Sequence, residues 1–118
     1  MVMQMAPKES TAAERLARQM QLLWKEHRAE FVERVERIEA ARASLESGAA
    51  LSFAERAEAA SSAHKLAGVL GVFGLKEGTE AARNIETLLS EDEMGAGHHL
   101  TKQLDPNIMV LRAAIASR

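Results

Sequence analysis

Apolar side chains recur every three or four residues along most of this chain, the spacing that lines one face of an α-helix. From Leu16 the series continues through Met20, Leu23, Phe31, Val35, Ile38, Ala41 and Leu45, with His27 filling the gap. No Gly or Pro interrupts it before Gly48. Thr11 and Glu14 stand three residues apart ahead of the series, the capping-box pairing in which hydroxyl and carboxylate each take an early backbone N–H. The pattern therefore predicts a helix from Thr11 to near Ser47. It is either one long rod or two helices bent around Lys25 to Arg28, since apolar spacing does not report a bend. Trp24 reads as a core anchor, with contact to a second subunit as the other reading, and His27 as a partly buried side chain on the stripe.

Ser52 and Glu55 repeat the capping box after the Gly48-Ala-Ala linker and open a second helix. That helix runs towards Gly74, a residue suited to the left-handed turn that ends helices. Leu75, Ala82, Ile85 and Leu89 then share one side of a third helix spanning Leu75 to Leu89. So short a connection forces the second and third helices antiparallel, which sets Arg83 to Glu86 at the height of His64. Ser90 to Gly97 is acidic and Gly-containing and reads as a loop, with Glu91-Asp92-Glu93 facing solvent. Beyond it Leu100, Leu104, Ile108, Leu111 and Ile115 keep one stripe. Pro106 either kinks a single last helix or opens a new one capped by Asp105, and the unbroken phase of the stripe favours the kink. Met1 to Glu9 lacks any period and contains Pro7, so a flexible terminus is expected over residues 1–10 and a single domain over 11–118.

Composition narrows the class. The 118 residues hold two prolines and are only 3% aromatic, rich instead in Ala, Leu, Glu and Arg, a profile that gives an all-α fold. The formal charge of −2, with both signs interspersed, offers no basic stripe for nucleic acid, and no apolar run is long enough to span a membrane. Cysteine is absent, which removes disulfides and thiolate metal sites, and no signal-peptide core opens the chain. Soluble protein partners and a cytoplasmic setting are the expectation.

The second helix carries the chemistry. At about 100° per residue, Ala59, Ala63, Leu66, Leu70 and Phe73 fall together as its core stripe, and His64 falls on the far side. Around His64 lie Ala57, Ala60, Ser61, Ala67, Gly68 and Gly71, where a solvent face ordinarily carries long charged side chains. Gly inside a helix costs roughly 1 kcal/mol against Ala, so the two glycines need a reason. Close approach of another body to the imidazole is one, because a histidine that attacks a phosphoryl group in a partner's cleft needs bare backbone around it. A neutral imidazole is also a good nucleophile at phosphorus. The other reading of the same face is close helix packing, with the small residues against the first helix and His64 buried.

The segment Ala63-His64-Lys65-Leu66-Ala67-Gly68, with Gly74 ten positions after His64, resembles the signature of histidine phosphotransfer (HPt) domains. The similarity runs from about Phe31 to Leu89 and includes the Ala82, Ile85, Glu86, Leu89 pattern. The resemblance implies an antiparallel four-helix bundle, here with an N-terminal helical extension, and an exposed acceptor at His64. It implies a phosphoryl carrier with no kinase activity or cofactor of its own, exchanging phosphate with response-regulator receiver domains and sensor histidine kinases; a monomer is the expectation, with dimerisation through the long first helix left open. The receiver contributes the aspartate, its acidic pocket and the magnesium ion. Gly68 matches the family's small residue one turn after the acceptor. Many members carry Lys three positions after the acceptor, where this chain has Ala67, so either Lys65, Arg83 or a partner side chain substitutes, or transfer is slower and phosphohistidine less favoured. The partner-facing set is accordingly Ala60, Ser61, Lys65, Ala67, Gly68, Gly71 and Arg83. Such bundles also occur inside multidomain regulators, which makes Met1 to Lys25 readable as a linker.

Other histidines add little. His98 and His99 are adjacent and point about 100° apart on a helix, a poor metal clip, so no metal site is expected. No Gly-rich phosphate loop or Ser-His-Asp set is present. The rival to a phosphorelay carrier is a phosphorylation-incompetent bundle that docks a receiver or kinase by the same face, a reading prompted by Ala67.

Overall fold

The computed structural model describes residues 11–48, 51–90 and 97–118. Four helices fill them: α1 (Ala12–Glu46), α2 (Phe53–Val72), α3 (Lys76–Ser90) and α4 (Gly97–Ala116). Both capping boxes form, with Thr11 and Glu14 at the head of α1 and Ser52 and Glu55 at the head of α2, every bond between 2.8 and 3.0 Å. Of the two forms open for the first helix, the single rod is the one adopted. Pro106 likewise sits inside one continuous α4. Asp105 therefore caps nothing and instead grips Arg42. The side chain of Asn107 donates to the Gln103 carbonyl at 3.0 Å, local polar satisfaction one residue beyond the proline.

The helices pack in cyclic order, α1 on α2, α2 on α3, α3 on α4 and α4 back on α1. Cross-helix contacts run in opposite directions along each pair. Arg42 holds Asp105 while Arg112 holds Glu39, so α1 and α4 are antiparallel, and Asn84 meets Asn107 as Gly78 meets Ala114 on α3 and α4. Between α2 and α3 the chain turns through Gly74, whose φ of +73° favours a residue without Cβ. The Gly74 N–H bonds the Gly71 carbonyl at 3.1 Å and the Leu75 N–H bonds the Leu70 carbonyl at 2.9 Å, the paired bonds of a Schellman turn.

Ile38, Leu66, Leu70, Ile85, Leu89, Leu104 and Leu111 are all fully buried and build one continuous core. The expected α2 stripe of Ala59, Ala63, Leu66, Leu70 and Phe73 is buried throughout. At the end of the bundle where α2 stops, Trp24, Phe31 and Phe73 pack ring to ring, with centroids 4.9 to 6.4 Å apart. The Trp24 indole N–H is buried there without a partner, a cost the ring contacts outweigh.

Two expectations for α1 are corrected at this end. Leu16 and Leu23, placed on the core stripe, are exposed: Leu16 lies two turns before Trp24, the first buried residue of α1, and Leu23 is turned about 100° from Trp24, at the rim of a groove it shares with Val69, Val72 and Phe73. His27 is exposed as well. Its ring stands 3.5 Å from Glu26 and 3.4 Å from Glu30 instead of entering the core, which begins with Trp24 and resumes at Phe31. The terminus at residues 1–10, residues 49 and 50 of the linker, the acidic run Glu91 to Glu93 and the His98 side chain lie outside the described residues.

Two guanidinium forks tie α1 to α4. Arg42 donates to both Asp105 oxygens at 2.8 and 2.9 Å, and Arg112 to both Glu39 oxygens at 2.7 and 2.6 Å. Those hydrogen bonds hold the Asp105 and Glu39 carboxyls below their ordinary range. A depressed carboxylate contributes its stability above the unfolded-state value and loses it as pH falls through the folded one, so both forks persist above about pH 5 and fail in acid.

Gly78 lets α3 approach α4 closely. A Cβ there would lie 2.7 Å from the Ala114 Cβ and 3.1 Å from Leu70 Cδ1. Gly78→Val should lower stability by about 1–3 kcal/mol in urea unfolding, as overpacking does. A midpoint at or above that of the unsubstituted chain would contradict so close an approach.

Candidate functional site

His64 emerges from the middle of α2 with 72% of its side chain accessible. The reading in which the small-residue face buries it against α1 is thereby removed. Its Nδ1 lies 3.0 Å from Glu86 Oε2 on α3, and that carboxylate is one-third exposed. An ionised carboxylate only accepts hydrogen bonds, so Nδ1 carries the proton and donates it to Glu86. Nε2 is left with a free lone pair, on a ring whose orientation the carboxylate fixes.

Two grooves meet at this pair. The larger, about 650 Å³, runs towards the head of α2 between Phe53, Ala57, Ala60 and Ser61 on one side and Glu86, Leu89 and Ser90 on the other. Leu51 and Arg56 complete it. The Arg56 guanidinium donates to the Leu88 and Leu89 carbonyls, which satisfies the end of α3 and closes that side of the groove. Phe53 is 87% exposed. The smaller groove, about 380 Å³, continues the other way between Ala67 and Gly68 on α2 and Arg83, Glu86 and Thr87 on α3.

The residues singled out from the sequence divide accordingly. Ala60 and Ser61 line the larger groove with His64, and Ala67, Gly68 and Arg83 the smaller one. Lys65 is exposed but lines neither, being about 100° around α2 from His64. Gly71 is exposed two turns on, opposite Thr79, and also lines neither. Ala67 requires a correction. It was placed on the exposed face, yet it is 6% accessible, because it lies about 60° from His64 on the side that α3 covers. It forms the floor of a groove and offers a partner almost no surface.

Glu86 and Phe53 were missed as site residues. Glu86 had a signal, since the antiparallel argument had set Arg83 to Glu86 level with the histidine. Phe53 had none, because an apolar residue just after a cap is what any buried helix start shows. Gly68 is exposed, and a Cβ added there meets nothing within 4 Å. The fold does not require glycine at that position.

The chemical capacity of this arrangement is narrow. It presents one oriented, accessible imidazole nitrogen with small residues beside it, and among the described residues no three potential ligands cluster to hold a metal ion. No described helix is long and apolar enough to cross a membrane. Comparison with known proteins adds one finding: a family model described as Hpt domain matches residues 22–117. No curated protein and no solved structure matches the chain.

Two outcomes follow from the geometry. At alkaline pH, ¹⁵N NMR should find His64 with its proton on Nδ1, and Glu86→Ala should shift the population towards the Nε2–H form. A tautomer ratio unmoved by the substitution would remove the clamp. Gly68→Ala should raise stability by roughly 0.5–1 kcal/mol in denaturant unfolding, the helix-propensity gain at an unobstructed site. A loss would mean that the backbone is in fact crowded there.

Proposed function

This chain belongs to the Hpt domain family, whose members are phosphocarriers of phosphorelays rather than enzymes, and from that premise we propose that His64 is its phospho-acceptor. The observation that carries the reading is the exposed His64 ring held through Nδ1 by Glu86, with Nε2 free to react.

In the proposed reaction a receiver domain's aspartyl phosphate enters above His64. The Nε2 lone pair attacks phosphorus in line, the N–P bond forms as the aspartyl O–P bond breaks, and the carboxylate leaves with its electron pair. No proton moves in that step. The ring gains positive charge, which Glu86 offsets through the Nδ1–H bond. Attack by a second receiver's aspartate on the same phosphorus reverses the sequence, and a sensor kinase is the other donor class. Positioning and the nucleophile come from this chain, and the partner brings the aspartate that gives up or takes back the phosphoryl group. The larger groove gives the partner its footing. Phe53 supplies an exposed aromatic anchor of the kind that dominates interfaces, a little over three turns from the acceptor on the same side of α2. Gly68 and Ala67 keep the approach clear on the other side.

Incubation with a phosphorylated receiver domain should place acid-labile, alkali-stable label on the chain, absent in His64→Gln. Phe53→Asp should slow labelling by the receiver at least about tenfold, the loss of one anchoring contact. It should leave labelling by the small donor phosphoramidate unchanged. Receiver binding without any label would instead identify the docking module that Ala67 suggested.

A further inference from the structure

A phosphoryl group on His64 brings negative charge to a groove whose existing anion, Glu86, is already beside the ring. Six residues line that smaller groove, namely His64, Ala67, Gly68, Arg83, Glu86 and Thr87, and among them Arg83 is the one cation. We infer that Arg83, reaching across from α3, binds the phosphoryl oxygens of phospho-His64 and sets how long the group is held. The inference rests on the acceptor reading above.

Three observations converge on it. First, Arg83 is uncommitted. Arg34, Arg37, Arg42 and Arg112 hold carboxylates, and Arg56 and Arg118 hold backbone carbonyls. Arg15 and Arg18 are engaged as well. Among the described arginines only Arg83 and Arg28 have no partner, and Arg28 lies on α1 away from either groove. Second, Arg83 is placed by the residue that places the histidine. Positions 83 and 86 are neighbours on one ridge of α3, and Glu86 already touches the ring at 3.0 Å. Glu86 is committed to Nδ1, which leaves the guanidinium unneutralised next to it.

Third, the space between is open. Ala67 is sunk into the floor at 6% accessibility and Gly68 carries no side chain, so neither intervenes between Arg83 and a group on Nε2. Lys65, the other cation near in sequence, lines neither groove. Chemistry favours the arginine further. A guanidinium presents a planar fork of N–H donors that matches two phosphoryl oxygens at once, with stronger, charge-assisted bonds. Arg83 makes and breaks no covalent bond in this role. It lowers the energy of the phosphorylated state and leaves the unphosphorylated one unaltered, since it has no partner to give up.

The test uses the full chain phosphorylated with phosphoramidate, freed of donor, and followed by ³¹P NMR. Arg83→Ala should shorten the phosphohistidine lifetime, and in a mixture with a receiver domain it should shift the phosphohistidine to phosphoaspartate ratio about tenfold towards aspartate, the worth of one charge-assisted bond. Lys65→Ala should change neither quantity. Arg83→Lys should keep part of the effect, and adding Ala67→Lys to Arg83→Ala should recover it, which a purely structural role for Arg83 would not produce. Unchanged lifetime and ratio in a folded Arg83→Ala, or an equal loss in Lys65→Ala, would overturn the inference while leaving the acceptor role intact. An unsubstituted chain that takes no label at His64 would overturn both.

Discussion

The turn at Gly74 fixes the register of α2 against α3. With the Leu75 N–H bonded to Leu70 and the Gly74 N–H to Gly71, α3 has no slack in which to slide or rotate before it packs back along α2. That places residue 86 opposite residue 64, twelve positions from the turn on one side and ten on the other. The groove beyond Glu86, the position of Arg83 and the buried floor at Ala67 follow from the same register. A shift of one residue in α3 would rotate Glu86 away by about 100° and leave the imidazole free to turn.

The rest of the bundle holds that pair of helices steady. Only four aromatic residues occur in the chain, and three of them are spent together, Trp24, Phe31 and Phe73, closing the end of the bundle next to the turn. The fourth, Phe53, is given to solvent at the head of α2. In a protein so poor in large rings that allocation is costly for the core, and it fits a side chain whose burial takes place in a complex. The guanidinium forks at Arg42 and Arg112 secure α1 to α4 on the side away from His64.

Much of this was legible because it is written in local spacing. Two capping boxes, two turn glycines and the stripe on α2 are short-range signals, and short-range backbone chemistry decides them. His64 stood out because its neighbours are small. Failures came where a residue's fate depends on how far a neighbouring helix extends. Leu16 keeps the period of a buried stripe but precedes the first buried residue of α1, Leu23 stands about 100° around the helix from the buried Trp24, and His27 falls at the margin of the aromatic cluster. Ala67 looked exposed on a helical wheel because a wheel contains one helix, and α3 covers it. The continuity of α4 through Pro106 rests on packing that overrides a local breaker.

Gly68 also bears on engineering. Nothing in the fold occupies the space that a side chain would take there, so the fold itself gives no reason for glycine at residue 68, and the proposed approach of a partner gives one. Selection of this chain in isolation for thermal tolerance would replace Gly68 early and register the change as an improvement. A hardened variant obtained in that way would keep its fold and its histidine, and on the proposed reading would lose the clearance through which a partner reaches that histidine.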